Sequence, residues 1–235
     1  MYVERSAGAA FVAQTGCRWR ALKLTPERER SAVGAAWFEL DSHAGTRLSA
    51  REGDRVVVVL AGDVELRTER GNERLGTGDA ALVFDARSCT VRALSADARA
   101  LTVWLDGEPA DTASRVVLQR VADAPVTAEF NTRFRRLPLL PESAAVDWGA
   151  AVAHLAPAQR TTPHSHADDE AFVLLAGHGR LRVGTESCDI HAGDVVHLPS
   201  GQEHTLENLA PHDELAFFCT WWTDFARHPL HQLQP

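Results

Sequence analysis

Apolar residues along this chain gather in short runs that turn residues interrupt. Arg55–Leu60, Leu101–Leu105, Ala171–Leu175 and Leu215–Trp221 are each short and rich in β-branched or aromatic side chains, the composition of strands. Between such runs stand Ala61-Gly62-Asp63, Gly71-Asn72, Gly76–Asp79, Gly177-His178-Gly179, Ala192-Gly193-Asp194 and Pro199-Ser200-Gly201, all turn formers. Many short strands at regular spacing predict a sandwich or barrel.

The chain repeats itself. A shift of 115 residues superposes its halves without a gap. Arg18, Arg20, Leu22, Leu24 and Pro26 fall on Arg133, Arg135, Leu137, Leu139 and Pro141, and Gly34-Ala35-Ala36 falls on Gly149-Ala150-Ala151. Leu60-Ala61-Gly62 falls on Leu175-Ala176-Gly177, and Gly78-Asp79 on Gly193-Asp194. Alanine matches arise by chance, but glycine and proline at a constant offset do not. Two copies of one domain in tandem are expected: residues 1–110, residues 111–223, and a tail at 224–235 without periodicity.

Composition narrows the function classes. The 235 residues hold 24 basic and 32 acidic side chains, a net charge of −8, and 45 % are hydrophobic. An acidic chain without a basic tail is not expected to bind nucleic acid. No run approaches the roughly 20 apolar residues of a membrane span. The early Glu4 and the lack of a long apolar stretch behind it argue against a signal peptide. Cys17, Cys89, Cys188 and Cys219 lie far apart with no CxxC pair, which fits reduced thiols in a cytoplasmic protein. Walker A, GxGxxG and HExxH motifs are missing.

The second copy carries the chemistry. In Pro163-His164-Ser165-His166-Ala167-Asp168-Asp169-Glu170, read as a β-strand, His164, His166 and Glu170 have one parity and can share a face. Two imidazoles and a carboxylate suit a divalent metal. His204 follows the turn Pro199–Gly201, which can swing the next strand back to supply a fourth ligand. Three histidines and one glutamate leave an open position on a five- or six-coordinate ion, as a catalytic metal requires.

His164-x-His166-x3-Glu170-x6-Gly177 resembles the first motif of the cupin superfamily, and Gly193-x5-Pro199-x-Gly201-x2-His204-x3-Asn208 resembles the second. With the repeat, the resemblance implies a bicupin: an all-β chain of two tandem double-stranded β-helix (jelly-roll) barrels. It implies His164, His166, Glu170 and His204 as metal ligands, and structural roles for Gly177, Gly193, Pro199, Gly201 and Asn208. The first copy departs from the pattern. Ser49, Arg51, Arg55 and Cys89 stand at the ligand positions, and guanidinium has no acceptor for a cation. A decayed site kept for packing is favoured there over an anion site at Arg51 and Arg55.

Around the metal, alternation places Phe172 and Leu174 on the face of Glu170, as barrel lining. One of Trp221 and Trp222 should point inward. His154 is a candidate acid or base, and Arg160 a candidate contact for a substrate carboxylate; an ordinary surface position is the favoured reading of both. The leading function is a dioxygenase-type oxidoreductase of a small molecule, with Fe2+ favoured over Mn2+, Ni2+ or Zn2+ and Glu170 acting as ligand and base. The alternatives are a non-redox metal-dependent isomerase, lyase or hydrolase, and a small-molecule binding module. Exposed barrel edges suggest a homodimer.

Overall fold

The computed structural model describes residues 2–7, 10–22, 24, 33–48, 55–84, 89–105, 115–123, 126–136 and 148–222. Ser49, Arg51 and the 224–235 tail lie outside them. The described residues form twenty-one strands and no helix. Strands β1 to β7 are Tyr2–Glu4, Val12–Gln14, Cys17–Leu22, Val33–Leu40, Gly45–Arg47, Arg55–Ala61 and Val64–Thr68. Strands β8 to β14 are Gly71–Leu75, Ala80–Phe84, Thr90–Ala93, Ala98–Leu105, Arg115–Gln119, Val126–Glu129 and Thr132–Arg136. Strands β15 to β21 are Trp148–Leu155, Asp169–Ala176, His178–Val183, Glu186–His191, Val195–Leu198, His204–Asn208 and Leu215–Trp222.

The chain divides into two compact units, residues 7–124 and residues 1–6 with 125–235. The expected limit at 110 therefore falls short of β12, and β1 belongs with the second unit. Each unit has one seven-stranded sheet and one smaller sheet. The large sheets run β12-β9-β6-β11-β4-β3-β2 and β1-β19-β16-β21-β15-β14-β13, the same order in both copies. The smaller sheets are β5-β10-β7-β8 and β18-β17-β20.

Burial explains the two kinds of strand. In β6 and β16 five consecutive residues are buried, so these strands are covered on both faces and read as unbroken apolar runs. In β17 burial alternates: Gly179, Leu181 and Val183 turn inward while His178, Arg180 and Arg182 do not. That is the period of a strand covered on one face. The core of the second unit centres on Leu174, Leu181, Ile190, Leu206, Phe217 and Leu215, each at most 1 % exposed.

The repeats exchange their first strands. Residues 117–119 of β12 lie 115 positions after β1. Yet β1 pairs with β19 of the second copy, Val3 opposite Val196, and β12 pairs with β9 of the first, Leu118 opposite Ala81. Both pairings are locked by an aspartate. Asp194 accepts from the Ser6 amide at 2.7 Å and from Arg5 at 3.1 Å. Asp79 accepts from the Val121 amide at 2.9 Å and from Arg120 at 2.9 Å. No helix among the described residues is long and apolar enough to cross a membrane.

Candidate metal centre

The histidine pair does not lie in a strand. β16 begins at Asp169, so Glu170 is a strand residue, while His164 to Asp168 are irregular apart from one bridge at His164 and bends at Ala167 and Asp168. The shared face expected from strand parity is thus produced by other contacts. His204 N–H donates to His164 O at 2.9 Å, and His164 N–H donates back to His204 O at 3.3 Å. The Pro199–Gly201 turn ties down the rest. Gly201 N–H donates to His166 O at 2.8 Å, Ser200 Oγ to Ala167 O at 2.6 Å, and Ser200 N–H to Asp169 Oδ1 at 3.2 Å. Asn208, 1 % exposed, donates through Nδ2 to the carbonyls of Leu155, Ala156 and Asp213 and accepts the Ala210 amide. It fixes the far end of β20, the strand that begins with His204.

The three imidazoles are oriented in the same way. Each Nδ1 faces a backbone carbonyl: His164 to Thr162 at 2.7 Å, His166 to Asp168 at 2.9 Å, His204 to Gln202 at 2.9 Å. A carbonyl only accepts, so Nδ1 carries the proton and the other nitrogen is left to the interior. One ring nitrogen from each histidine lies within 4.8 Å of the other two. Glu170 Oε2 is 2.9 Å from His166 Nε2 and 3.7 Å from His204 Nε2.

The electrostatics separate the histidines. The Glu170 hydrogen bond raises the His166 pKa, against burial, which lowers it. Burial pushes His204 down to about 4, so at neutral pH its ring is uncharged. Its Nε2 is buried without a hydrogen-bond partner, the kind of polar orphan that folded proteins avoid. Three imidazole nitrogens and a carboxylate oxygen suit a divalent ion, and an ion there satisfies that orphan. The residues present fit a metal.

A cavity of about 230 Å³ opens on this group. Phe130, Phe172, Leu206, Phe217 and Trp221 form its apolar walls, with Thr161, Glu129 and Asp168 beside the ligand set. Trp221 faces inward because it sits opposite both Glu170 and Gly149. A Cβ on Gly149 would lie 2.2 Å from the Trp221 ring, so only glycine leaves the ring its place.

Four of the candidate pocket residues lie outside the cavity, which for His154 and Arg160 is the favoured reading and for Trp222 follows from Trp221 facing inward. Leu174 is fully buried in the core behind the cavity. Trp222 has the opposite parity and stacks on His197, ring centroids 6.3 Å apart. His154 has the parity opposite to the inward Ala151, Ala153 and Leu155, and its Nδ1 is 3.6 Å from Glu214 Oε2. Arg160 lies outside this cavity, and its carbonyl accepts from Asn131 Nδ2 at 2.8 Å. Sequence reading missed Glu129, Phe130 and Thr161. The first two sit at the end of β13 and the tip of the β13–β14 hairpin, where the alternation of Thr127 and Glu129 was the only signal.

In the first unit the equivalent pair is Arg55 and Trp104, opposite each other as Glu170 and Trp221 are. Arg55 is 4 % exposed, with its guanidinium 4.8 Å from the Trp104 ring centroid. Cys89 is buried, and burial, opposed by Arg55, pushes its thiol up to about 12, so without a metal it is a neutral thiol at neutral pH.

Residues 151–221 match the family model of the cupin domain. The fold is similar to that of Lactobacillus farciminis oxalate decarboxylase in a formate complex: TM-score 0.75, 14 % identity, 94 % of this chain and 86 % of that one. A putative glyoxylate-induced protein from Pseudomonas aeruginosa matches with TM-score 0.77 and 13 % identity over 96 % of this chain and 89 % of that one. Bacillus subtilis oxalate decarboxylase, in a study of its Mn(II) centres, matches with TM-score 0.75 and 14 % identity over 94 % and 77 %. At these identities the likeness establishes the fold alone. No curated protein matches the chain in sequence.

Proposed function

We propose that the chain is a bicupin of the cupin superfamily, on its cupin-domain match over residues 151–221 and its fold, and a metal-dependent enzyme whose second barrel holds one divalent ion on His164, His166, His204 and Glu170. The observation that carries this is the convergence of three histidine nitrogens beside Glu170, with every Nδ1 tied to a carbonyl. Bound there, the ion would supply Lewis acidity and, if iron, redox chemistry.

The rest follows from the chain's own side chains. The carbonyl bonds fix the tautomers and ring planes before any ion arrives. Phe172, Phe217 and Trp221 exclude water from one side of the ligand set. Glu170 and Glu129 are carboxylates able to take a proton from a bound molecule, and Thr127 Oγ1 orients Glu129 through a 3.0 Å hydrogen bond to Oε1.

The cavity favours a small neutral molecule with an apolar or aromatic body. Oxalate, named for two of the structural neighbours, is a compact dianion. Among the described lining residues no lysine or arginine faces the cavity, so apart from the ion itself a dianion would meet only the carboxylates of Glu129 and Asp168. A dioxygenase-type oxidation of such a neutral molecule with Fe2+ is our leading reading. The Mn(II) named for the B. subtilis neighbour supports a second, a non-redox lyase or isomerase.

Metal analysis of the purified protein beside His164→Ala, followed by oxygen uptake with neutral aromatic chelators, tests this. About one iron per chain, lost in the variant, with oxygen uptake, is the expected result. Manganese without oxygen uptake overturns the oxidative reading and leaves the lyase. No metal after anaerobic reconstitution overturns both.

A further inference from the structure

The β13–β14 hairpin turns through two residues, Phe130 and Asn131, with φ of 48° and 62°. A two-residue turn with positive φ at both positions is ordinarily filled by asparagine, aspartate and glycine. Asn131 fits that rule. Phe130 does not: a bulky side chain is strained in the left-handed region, and this one is 41 % exposed. Turn chemistry and core packing therefore both argue against phenylalanine here.

What the ring does meet is His164. The two rings are parallel to within 10°, with centroids 3.7 Å apart. The same hairpin tip grips the backbone that tethers this histidine. Phe130 O accepts from Thr162 N–H at 2.9 Å, and Asn131 Nδ2 donates to Arg160 O at 2.8 Å. Thr162 O is in turn the acceptor for His164 Nδ1.

We propose that Phe130 is a positioning residue of the metal site, whose ring fixes the plane of the His164 imidazole so that its free nitrogen meets those of His166 and His204. The inference rests on the metal reading above. A single Nδ1 bond leaves an imidazole free to swing about that contact, and a flat surface against the ring removes the remaining freedom. The other two histidines have their own supports. His166 has Asp168 O on its Nδ1 and Glu170 beside it, and His204 is 2 % exposed with its ring edge-on to Phe172, centroids 6.4 Å apart. His164 and His166 are both half-buried where His204 is buried, and His164 is the one the hairpin serves.

Titration of the full chain with Co2+, followed by visible absorption, tests the proposal. Wild type is expected to bind Co2+, and His164→Ala to lose it; a wild type that does not bind overturns the metal reading itself. Phe130→Ala removes the ring and keeps the strain. Its Co2+ affinity is expected to fall about tenfold, the lower range for losing a group that orients a ligand, with an altered absorption band. Phe130→Trp restores both. Phe130→Gly removes ring and strain together, so it should melt about 2 °C above Phe130→Ala while binding Co2+ as weakly. Wild-type affinity and band shape in folded Phe130→Ala or Phe130→Gly overturn the positioning role and leave the metal site standing.

Discussion

Asp79 and Asp194 stand 115 positions apart and hold the chain with matching sets of hydrogen bonds. Each accepts an arginine and a backbone amide just beyond an exchanged strand. Each also accepts the amide three residues before it, Gly76 at 3.0 Å and His191 at 2.9 Å. Replacing Asp194 by alanine leaves the Ser6 and His191 amides without their acceptor, and is expected to cost about 2–4 kcal/mol. Urea denaturation of the variant against wild type measures it.

The same aspartate makes stability depend on acid. Burial raises its pKa, but the amides of Ser6 and His191 and the Arg5 guanidinium outweigh burial, and the net shift is downward. A carboxyl with a lower pKa folded than unfolded contributes stability that is complete above the unfolded value of about 3.9. That contribution is lost as pH falls through the folded value. Stability of wild type should therefore drop across this acid range more steeply than that of Asp194→Ala, in melts taken from pH 5 downward.

His204 acts over a higher range in the metal-free protein. Its folded pKa of about 4 lies below the free value of about 6.5. Between the two the unfolded chain binds a proton that the folded chain refuses, so stability falls as pH drops from 6.5 towards 4. His204→Phe removes that slope. An unchanged slope in chelator-treated protein would show that the ring is not buried as a neutral base.

Metal binding and folding are expected to separate. The core of the second unit is built from Leu174, Leu181, Ile190 and Phe217, none of which is a ligand, and apolar burial carries most of the stability of a fold. His164→Ala with His166→Ala should abolish metal binding and keep the strand signal in circular dichroism. An unfolded double variant would make the ion a structural one.

Gly149→Ala should be costly for its size. A methyl there would lie 2.2 Å from the Trp221 ring, so the ring must tilt into the cavity or the strands must part. A loss of about 1–3 kcal/mol is expected, with a shift in tryptophan emission. Gly34→Ala meets Trp104 at 2.4 Å in the same way.

The barrels, and the grouping of His164, His166, His204 and Glu170, were legible because they rest on local signals. Glycines at turns, short apolar runs and fixed histidine spacing survive in a one-dimensional reading. Trp221 and Trp222 show where such signals stop. They are neighbours of opposite parity, and only the position of β21 opposite Gly149 and Glu170 decides which of them faces the cavity. Phe130 was less accessible still. Its importance lies in a stack on a residue 34 positions away and in a turn conformation that its own residue type disfavours. The exchange of β1 and β12 left no trace in the pattern either, because a strand's apolar residues do not say which copy it joins.

That exchange sets an order of events during synthesis. β1, which completes the second barrel, is made before its partner β19, which emerges roughly 190 residues later. At about 5–20 residues per second the wait lasts on the order of ten seconds or more. During that interval the first barrel can gather its own closing strand, β12, as soon as it is made, while Tyr2–Glu4 has nothing yet to pair with. A strand made before the whole first barrel is therefore among the last to find its place, and the second barrel is completed by residues from both sides of the first.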